Sequence, residues 1–407
     1  MTHISAISKV ARKARIFSNS TGHTLAAISD PATSTVEAHN VTQTHHNVFC
    51  PGLSLDASGH PVVTGGSTST SIYDPITESW VVGPALTTGR GYYSQATLSD
   101  GRIFTIGGSW SGGASTPKNG ETLSFSLSSS GWAPLPNGMG AHLAAGARAD
   151  SRDAMNGNAI MFSALSPATS AAHLISLPPG GATFSTLTVS RLEDMHHPRT
   201  SSNSVVLPKG DVFIVGGASY AKPWSDVHAT LVPELFSAGT HTFAPLACMA
   251  VARKYHSVAV LLPDATVLVG GGGLCWEPYD GDEAGINHLD LQVYEPGYLW
   301  GGDGLWVEHR PRIVEISNTD GQVREFTIVR YASATHATNT DQRRIRLDAT
   351  ATPVDVVAAQ EGVKERQVYE MQVPHDAGIA VPGYWMLFAI SSAGVPSVAE
   401  TIFIRLA

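Results

Sequence analysis

Several features are scarce in this chain of 407 residues, and each scarcity excludes a class of protein. Its three cysteines are too few for a disulfide framework and too far apart for a zinc site. Only 14% of the residues are charged, and the 25 basic ones form no stripe, so we expect no nucleic-acid partner. No apolar run approaches the roughly 20 residues that a membrane helix requires. We therefore expect no membrane partner either.

The first 20 residues lack the apolar segment of a secretion signal, although they carry Lys9, Arg12, Lys13 and Arg15. Either the protein stays inside the cell or its true start lies upstream. We expect residues 1–20 to be a basic, disordered N-terminus.

Helical periodicity is also scarce, whereas the chain has 40 Gly and 24 Pro among short apolar runs, which favours an all-β fold. A unit recurs: an apolar strand, a turn, a second strand ending in paired glycines, then a strand with an aromatic residue. The glycines are Gly65 and Gly66, Gly107 and Gly108, Gly216 and Gly217, and Gly270 to Gly273. A period of about 40 to 50 residues is typical of a kelch-type β-propeller, in which each repeat is one four-stranded blade. A β-sandwich gives no reason for periodic glycine pairs.

The propeller is predicted to be incomplete, because the second and third glycine pairs are more than twice as far apart as the first two. We therefore place the propeller at residues 21–304 and expect one blade to have lost its signature. The repeat stops after Trp300, and the glycine-rich residues 301–304 are typical of a linker. Alternating strands continue to the C-terminus, so residues 305–407 are predicted to form a separate β-sandwich.

A Tyr-His pair, Tyr255 and His256, lies at the start of a predicted buried strand. Neighbouring strand residues point to opposite faces, so both side chains can reach one metal ion only if the backbone bends there. The start of a strand is a place where such a bend can occur.

Five blocks of the chain closely resemble galactose oxidase and its relatives, the copper radical oxidases. They lie at residues 45–66, 89–113, 255–275, 330–345 and 382–399. The resemblance implies a seven-bladed kelch propeller followed by an immunoglobulin-like domain, one loop of which carries a copper ligand along the propeller axis. It also implies a secreted monomer that oxidises a primary alcohol, such as a carbohydrate hydroxyl, or a related aldehyde and reduces O2 to hydrogen peroxide.

The resemblance assigns the copper ligands. Tyr255 is implied as the axial ligand, while Tyr92, His256 and His336 are implied as equatorial ligands, with His336 coming from the C-terminal domain. Imidazole nitrogens with phenolic oxygens form the ligand set that Cu(II) favours. The resemblance further implies that Tyr92 carries a radical, is joined to Cys50 by a thioether and stacks against Trp110. Tyr93, next to Tyr92, is the alternative radical site.

The chain departs from the family in its middle and at its N-terminus, where it is shorter. The missing middle includes a segment that carries a substrate-contacting arginine in the family, and the substrate-contacting glutamine is replaced by Ala218. The substrate-binding residues are therefore unknown. A family disulfide has lost its partner for Cys275, so we expect this thiol to be free.

Three hypotheses remain open at this point. The chain is a copper radical oxidase, a copper- or carbohydrate-binding propeller without turnover, or a mis-spliced form of an active oxidase. The pairs His45-His46 and His196-His197 could also bind metal, but adjacent histidines are mostly solvated loop residues.

Overall fold

The computed structural model describes most of the propeller and C-terminal strands. The described residues are 5–9, 12–18, 24–30, 33, 35–46, 48, 51–91, 93–108, 121–126, 129–134, 168–176, 188–220, 225–273, 288, 290–311, 313, 323–336, 338–352 and 368–405. Cys50, Tyr92, Trp110 and Cys275 lie outside them. No helix among these ranges is long and apolar enough to cross a membrane.

The part before residue 305 consists of successive antiparallel sheets, as the glycine repeat predicts. The first sheet contains β1 (Ser5–Lys9), β2 (Arg12–Ser18), β3 (Thr24–Asp30) and β4 (Thr35–Val41), and two short strands of the C-terminal part, β23 (Ser333–Thr335) and β24 (Thr338–Asn339), extend it to six strands. The second contains β5 (Pro51–Leu55), β6 (Pro61–Gly65), β7 (Thr70–Asp74) and β8 (Ser79–Val82). The third contains β9 (Ser94–Thr97), β10 (Ile103–Ile106), β11 (Glu121–Ser126) and β12 (Ser129–Pro134).

Three further sheets continue the series. Strands β13 (His173–Ser176) and β14 (Thr188–Arg191) form a two-stranded sheet, in the interval where the glycine signature is lost. The next sheet contains β15 (Thr200–Val206), β16 (Val212–Ala218), β17 (Glu234–Phe236) and β18 (Phe243–Pro245). The last contains β19 (Ser257–Leu261), β20 (Val267–Gly271) and β21 (Leu291–Tyr294), and a 3-10 helix follows at Gly297–Leu299.

The first strands of several sheets lie against one another: β5 lies against β9, β15 against β19, and β1 against β19. This side-by-side arrangement of small antiparallel sheets confirms an incomplete β-propeller. Backbones approach closely at the paired glycines: both Gly216 (φ +73°) and Gly217 (φ +89°) have left-handed backbones, and the Gly217 amide donates to the Arg253 carbonyl at 2.7 Å.

Each of three blades is held together by a buried arginine, a feature that the glycine repeat alone does not indicate. Arg90, Arg199 and Arg253 each donate to the carbonyl of a glycine 17 or 18 residues later. Each also pairs with a carboxylate at or beside the third strand of its blade. These carboxylates belong to Glu121, Glu234 and Asp290.

The blade of β5 to β8 has His46 in place of this arginine. Its Nε2 contacts the Gly65 carbonyl at 2.7 Å, 19 residues later, and its Nδ1 contacts Ser71 Oγ at 2.8 Å. His46 is buried rather than solvated. Burial lowers the pKa of His46, so the ring is neutral and makes structural hydrogen bonds.

The C-terminal part forms the sandwich domain that the alternating pattern predicts. Its main sheet has the order β26-β25-β22-β27-β28. The strands are β22 (Val323–Arg330), β25 (Arg344–Thr352), β26 (Val368–Gln372), β27 (Gly383–Ser391) and β28 (Glu400–Ile404). One apolar cluster continues from the propeller into this sheet, since it contains both Leu53 and Phe388. The fold is therefore an all-β propeller packed against an immunoglobulin-like domain.

Two segments differ from what the sequence predicts. Residues 1–20 contain β1 and β2 where disorder is expected, because β1 pairs on one side with β2 and on the other with a strand of the C-terminal part at Ser333–Thr335. The expected linker at 301–304 is a tight hairpin loop in which the Gly301 amide donates to the Leu305 carbonyl at 2.7 Å. At the N-terminus, a strand more than 300 residues away in the sequence supplies backbone hydrogen bonds, and the composition of residues 1–20 cannot predict this partner.

Candidate metal centre

Tyr255 and His256 are the central residues of a tight turn at the start of β19. The Ser257 amide donates to the Lys254 carbonyl at 2.9 Å, which closes the turn around them. His256 has φ +65°, a conformation that is costly for a residue other than glycine. This is the backbone bend that two neighbouring ligands require, and strain of this kind is concentrated at functional sites.

His336 reaches the same place from the C-terminal part. Strand β23 (Ser333–Thr335) pairs with β24 (Thr338–Asn339), with Thr335 opposite Thr338, so His336 lies at the tip of a small hairpin. Its φ of +52° is the left-handed conformation that two-residue hairpin loops demand. Because β23 also pairs with β1 and lies against β5 and β19, the hairpin is embedded among the propeller blades.

The rings of these three residues form one buried cluster. The ring centres of His256 and His336 are 4.9 Å apart, those of Tyr255 and His256 are 3.8 Å apart, and those of Tyr255 and His336 are 6.2 Å apart. None of the three residues is more than 5% exposed. An ion about 2 Å from each imidazole nitrogen lies about 3 Å from each ring centre, which puts two adjacent ligand rings about 4 to 5 Å apart. The observed separation of the histidine rings fits this geometry.

The histidines are oriented to present Nε2 to a metal. His256 Nδ1 contacts the Gly273 carbonyl at 3.0 Å, and since a carbonyl only accepts, Nδ1 carries the proton and Nε2 the lone pair. Burial lowers the pKa of His256 to about 3, so the ring is neutral throughout the ordinary pH range. His336 Nδ1 contacts Thr335 Oγ1 at 2.9 Å. A hydrogen bond from the second ring nitrogen is typical of metal-binding histidines.

The candidate ligand set includes a phenolic oxygen, that of Tyr255. Within the ranges that the structure describes, no three side chains of His, Cys, Asp and Glu come together as a metal site. Two imidazoles with a phenol suit copper better than zinc, calcium or magnesium. Tyr92, the other implied ligand, and Cys50 and Trp110 lie outside the described residues, so their roles stay predictions.

Tyr93, the alternative radical site, has a packing position. Its ring lies against the backbone of Gly52 and Gly65, where an added Cβ would come within 3 Å of it. Its hydroxyl contacts the Thr64 hydroxyl, and burial raises the pKa of this phenol. The pair His196-His197, the other metal-site candidate, has a structural role. The backbone amides of both residues donate to the Glu234 carboxylate.

Comparison with known proteins shows which family the sequence and fold of this chain match. The description "Glyoxal oxidase N-terminus" matches residues 185–298, and "Galactose oxidase-like, Early set domain" matches residues 307–404. Galactose oxidase of Gibberella zeae is 38% identical over 94% of this chain, which spans 64% of that relative's length. Aldehyde oxidase GLOX of Vitis pseudoreticulata is 28% identical over 53% of this chain and 43% of its own.

A solved structure matches this chain over nearly its whole length. It is described as a novel fungal alcohol oxidase with catalytic diversity among the AA5 family, in complex with copper. It is 30% identical, with a TM-score of 0.80, and the match covers 99% of this chain and 96% of the other. The chain belongs to the galactose oxidase family of copper radical oxidases.

Proposed function

We propose that this chain oxidises primary alcohols, such as the C6 hydroxyl of galactose, or related aldehydes, and reduces O2 to hydrogen peroxide. The observation that supports this proposal most strongly is the meeting of Tyr255, His256 and His336 in one buried cluster although they come from two separate domains. Ordinary packing gives no reason for two histidines with left-handed backbones to face each other there.

The residues that would hold copper are Tyr255, His256, His336 and, by resemblance, Tyr92. Cu(II) bound there supplies one of the two oxidising equivalents that alcohol oxidation needs. His256 is suited to its part because it stays neutral and its Nδ1 is fixed by the Gly273 carbonyl. The turn that holds Tyr255 next to His256 brings the phenol and imidazole rings to 3.8 Å, measured between their centres.

By resemblance, we assign the second oxidising equivalent to Tyr92, which would be joined to Cys50 by a thioether and stacked on Trp110. In the proposed reaction Tyr255 accepts the proton of the substrate hydroxyl as general base. The Tyr92 radical takes a hydrogen atom from the adjacent carbon, and the two electrons removed from the alcohol reduce O2 to hydrogen peroxide. The alcohol becomes an aldehyde, so protons and electrons balance.

Sugar selectivity is expected to be weak. Ala218, which replaces the family's substrate-contacting glutamine, is 1% exposed at the end of β16, and its side chain can neither donate nor accept a hydrogen bond. A site that has lost polar partners of the substrate discriminates less well between substrates that differ in their hydroxyl groups. We therefore expect small primary alcohols to react about as well as galactose.

A peroxide assay on the copper-loaded full chain tests the proposal, with Tyr92→Phe and Tyr93→Phe as matched variants. Tyr92→Phe removes the radical oxygen and should abolish peroxide formation, whereas Tyr93→Phe should keep it. Mass spectrometry should find two hydrogens fewer in the copper-treated parent and no such loss in Cys50→Ser. Activity that survives Tyr92→Phe and disappears in Tyr93→Phe would move the radical to Tyr93. Copper binding with neither thioether nor peroxide would instead support a non-catalytic copper-binding propeller.

A further inference from the structure

The hairpin that carries His336 needs support from outside itself. It pairs only Ser333–Thr335 with Thr338–Asn339, and an isolated hairpin is marginally stable even when it is longer. Its tip has the left-handed backbone of His336. The position of the imidazole therefore depends on whatever fixes the two legs of the hairpin against the propeller.

A buried carboxylate, that of Asp341, joins both legs of the hairpin to a blade. Its Oδ2 accepts from the Leu55 amide of β5 at 3.3 Å and from Ser333 Oγ. Ser333 begins the first leg of the hairpin, and Asp341 itself follows the second leg. One carboxylate oxygen thus connects both legs of the hairpin to β5.

The charge of Asp341 is balanced by Arg330 at the end of β22. Arg330 Nε lies 3.9 Å from Asp341 Oδ1, and both side chains are 2% exposed. Within the described part of the chain, Arg330 Nε and Nη2 have no hydrogen-bond partner, so this guanidinium acts on Asp341 through its charge. A buried ion pair of this kind is sensitive to the loss of either partner.

Other contacts hold the hairpin without the carboxylate. Thr340 Oγ1 donates to the Leu53 carbonyl at 2.7 Å, and Gln342 bridges to β15 through the Ser204 carbonyl at 2.8 Å and the Val206 amide at 2.6 Å. The two legs are also joined directly, because the Thr340 amide donates to the Ser333 carbonyl at 2.9 Å and the two hydroxyls of these residues are 2.7 Å apart. Asp341 adds a charged acceptor that ties this junction to the Leu55 amide of β5. Loss of Asp341 should therefore loosen the hairpin against β5 without unfolding it.

We propose that Asp341 is a positioning residue for His336, which sets the imidazole against His256 by joining both legs of the hairpin to β5. This inference rests on the proposed function, because it assigns Asp341 a role in the geometry of the copper centre. The residue touches neither substrate nor metal, and it acts through the backbone of Ser333 to Thr340.

Asp341→Asn is the informative change because it preserves side-chain volume and removes one acceptor. An asparagine must turn its NH2 either toward the Leu55 amide or toward the Arg330 guanidinium, and in both orientations a donor faces a donor. Loss of a group that orients a metal ligand lowers metal affinity by about 10- to 100-fold. We expect a loss in this range for Cu(II) added to the copper-free chain.

The experiment is a Cu(II) titration of the full chain followed by electron paramagnetic resonance, with Glu234→Gln as the matched control. Glu234 is also a buried acid paired with a buried arginine, Arg199, but it lies in β17, the third strand of its sheet. Both variants should lower the unfolding midpoint. Only Asp341→Asn should also change the parallel hyperfine splitting, because only there does the His336 nitrogen move.

Ser333→Ala gives a milder test if Asp341→Asn does not fold, since it removes one of the two donors to Asp341 Oδ2 and should shift affinity and spectrum in the same direction by less. Unchanged affinity and spectrum in a folded Asp341→Asn, or in Ser333→Ala if the first variant is insoluble, would overturn the positioning role while leaving the copper site intact. A parent chain that binds no Cu(II) in a tetragonal site would instead refute the proposed function, and the inference with it.

Discussion

Gly216→Ala should be among the most damaging single-methyl changes in the propeller. Gly216 lies in β16 with φ +73°, and a Cβ added there would be 1.9 Å from the carbonyl oxygen of Arg253. That carbonyl accepts the Gly217 amide at 2.7 Å, and two residues later the chain forms the turn of Tyr255 and His256. The neighbouring backbone must therefore move to make room for the methyl group.

The size of the effect follows from three contributions. A left-handed backbone costs an alanine about 1–2 kcal/mol. Loss of the hydrogen bond between Gly217 and Arg253 adds about 1 kcal/mol. Displacement of the buried Arg253 segment adds strain, so we expect about 3 kcal/mol or more in the free energy of unfolding.

Two other alanine variants separate these contributions in urea unfolding at constant pH. Gly107 has φ +78° but nothing within 4 Å of an added Cβ, so Gly107→Ala measures the conformational cost alone. Gly239 has neither a left-handed backbone nor a contact closer than 3.9 Å, so Gly239→Ala should be nearly neutral. Gly216→Ala should be the least stable by about 2 kcal/mol. Equal free energies of unfolding for Gly216→Ala and Gly107→Ala would refute the reasoning, because the close approach would then cost nothing.

Three further predictions concern charge, pH and thiol chemistry. Glu121→Ala leaves the buried Arg90 guanidinium without its carboxylate and should cost about 3–5 kcal/mol in unfolding experiments, whereas Asp100→Ala at an exposed ion pair should cost at most about 1 kcal/mol. Burial lowers the pKa of His46 in the folded protein. As the pH falls below about 6.5, His46 becomes protonated in the unfolded chain but stays neutral in the folded chain, so the free energy of unfolding decreases. The fall in urea midpoint between about pH 7.5 and 5.5 should therefore be smaller in His46→Gln, and an equal fall would contradict the assignment. Cys248 is free and exposed, so a maleimide should label it in the native protein, and a native chain whose Cys248 peptide stays unlabelled would contradict this placement.

The paired glycines made the propeller predictable from the sequence. A glycine at the end of a strand is needed where backbones approach closely, so its periodicity reports a repeated contact and not only a repeated strand. The bend at His256 could be expected for a similar local reason, since two adjacent ligands require it. His336 could not be found in this way, because it lies in a different domain and only the resemblance of its surrounding block indicated a role.

Contacts between residues distant in sequence were the ones that local patterns missed. Arg90, Arg199 and Arg253 pair with glycines and acidic residues of their own blades. Each arginine precedes its glycine by 17 or 18 residues, and this regular spacing in the sequence indicates a repeated contact. The strands at residues 5–9 and 12–18 had no comparable signal. Their backbone hydrogen bonds depend in part on β23, which no window around the N-terminus includes.

The pairing of β1 with β23 has a consequence for the order in which the chain can fold. Residues near position 5 leave the ribosome long before those near 335, and at about 5–20 residues per second the delay is roughly 20 to 60 seconds. During that interval the edge of β1 that later binds β23 is exposed to any other strand. Such long-range pairing also slows folding itself, because the chain loses conformational entropy in bringing distant segments together before their contact stabilises it. The same contact that embeds the His336 hairpin in the propeller thus makes the final closure of the molecule a late event, during which chaperones or neighbouring chains can compete for the open edge.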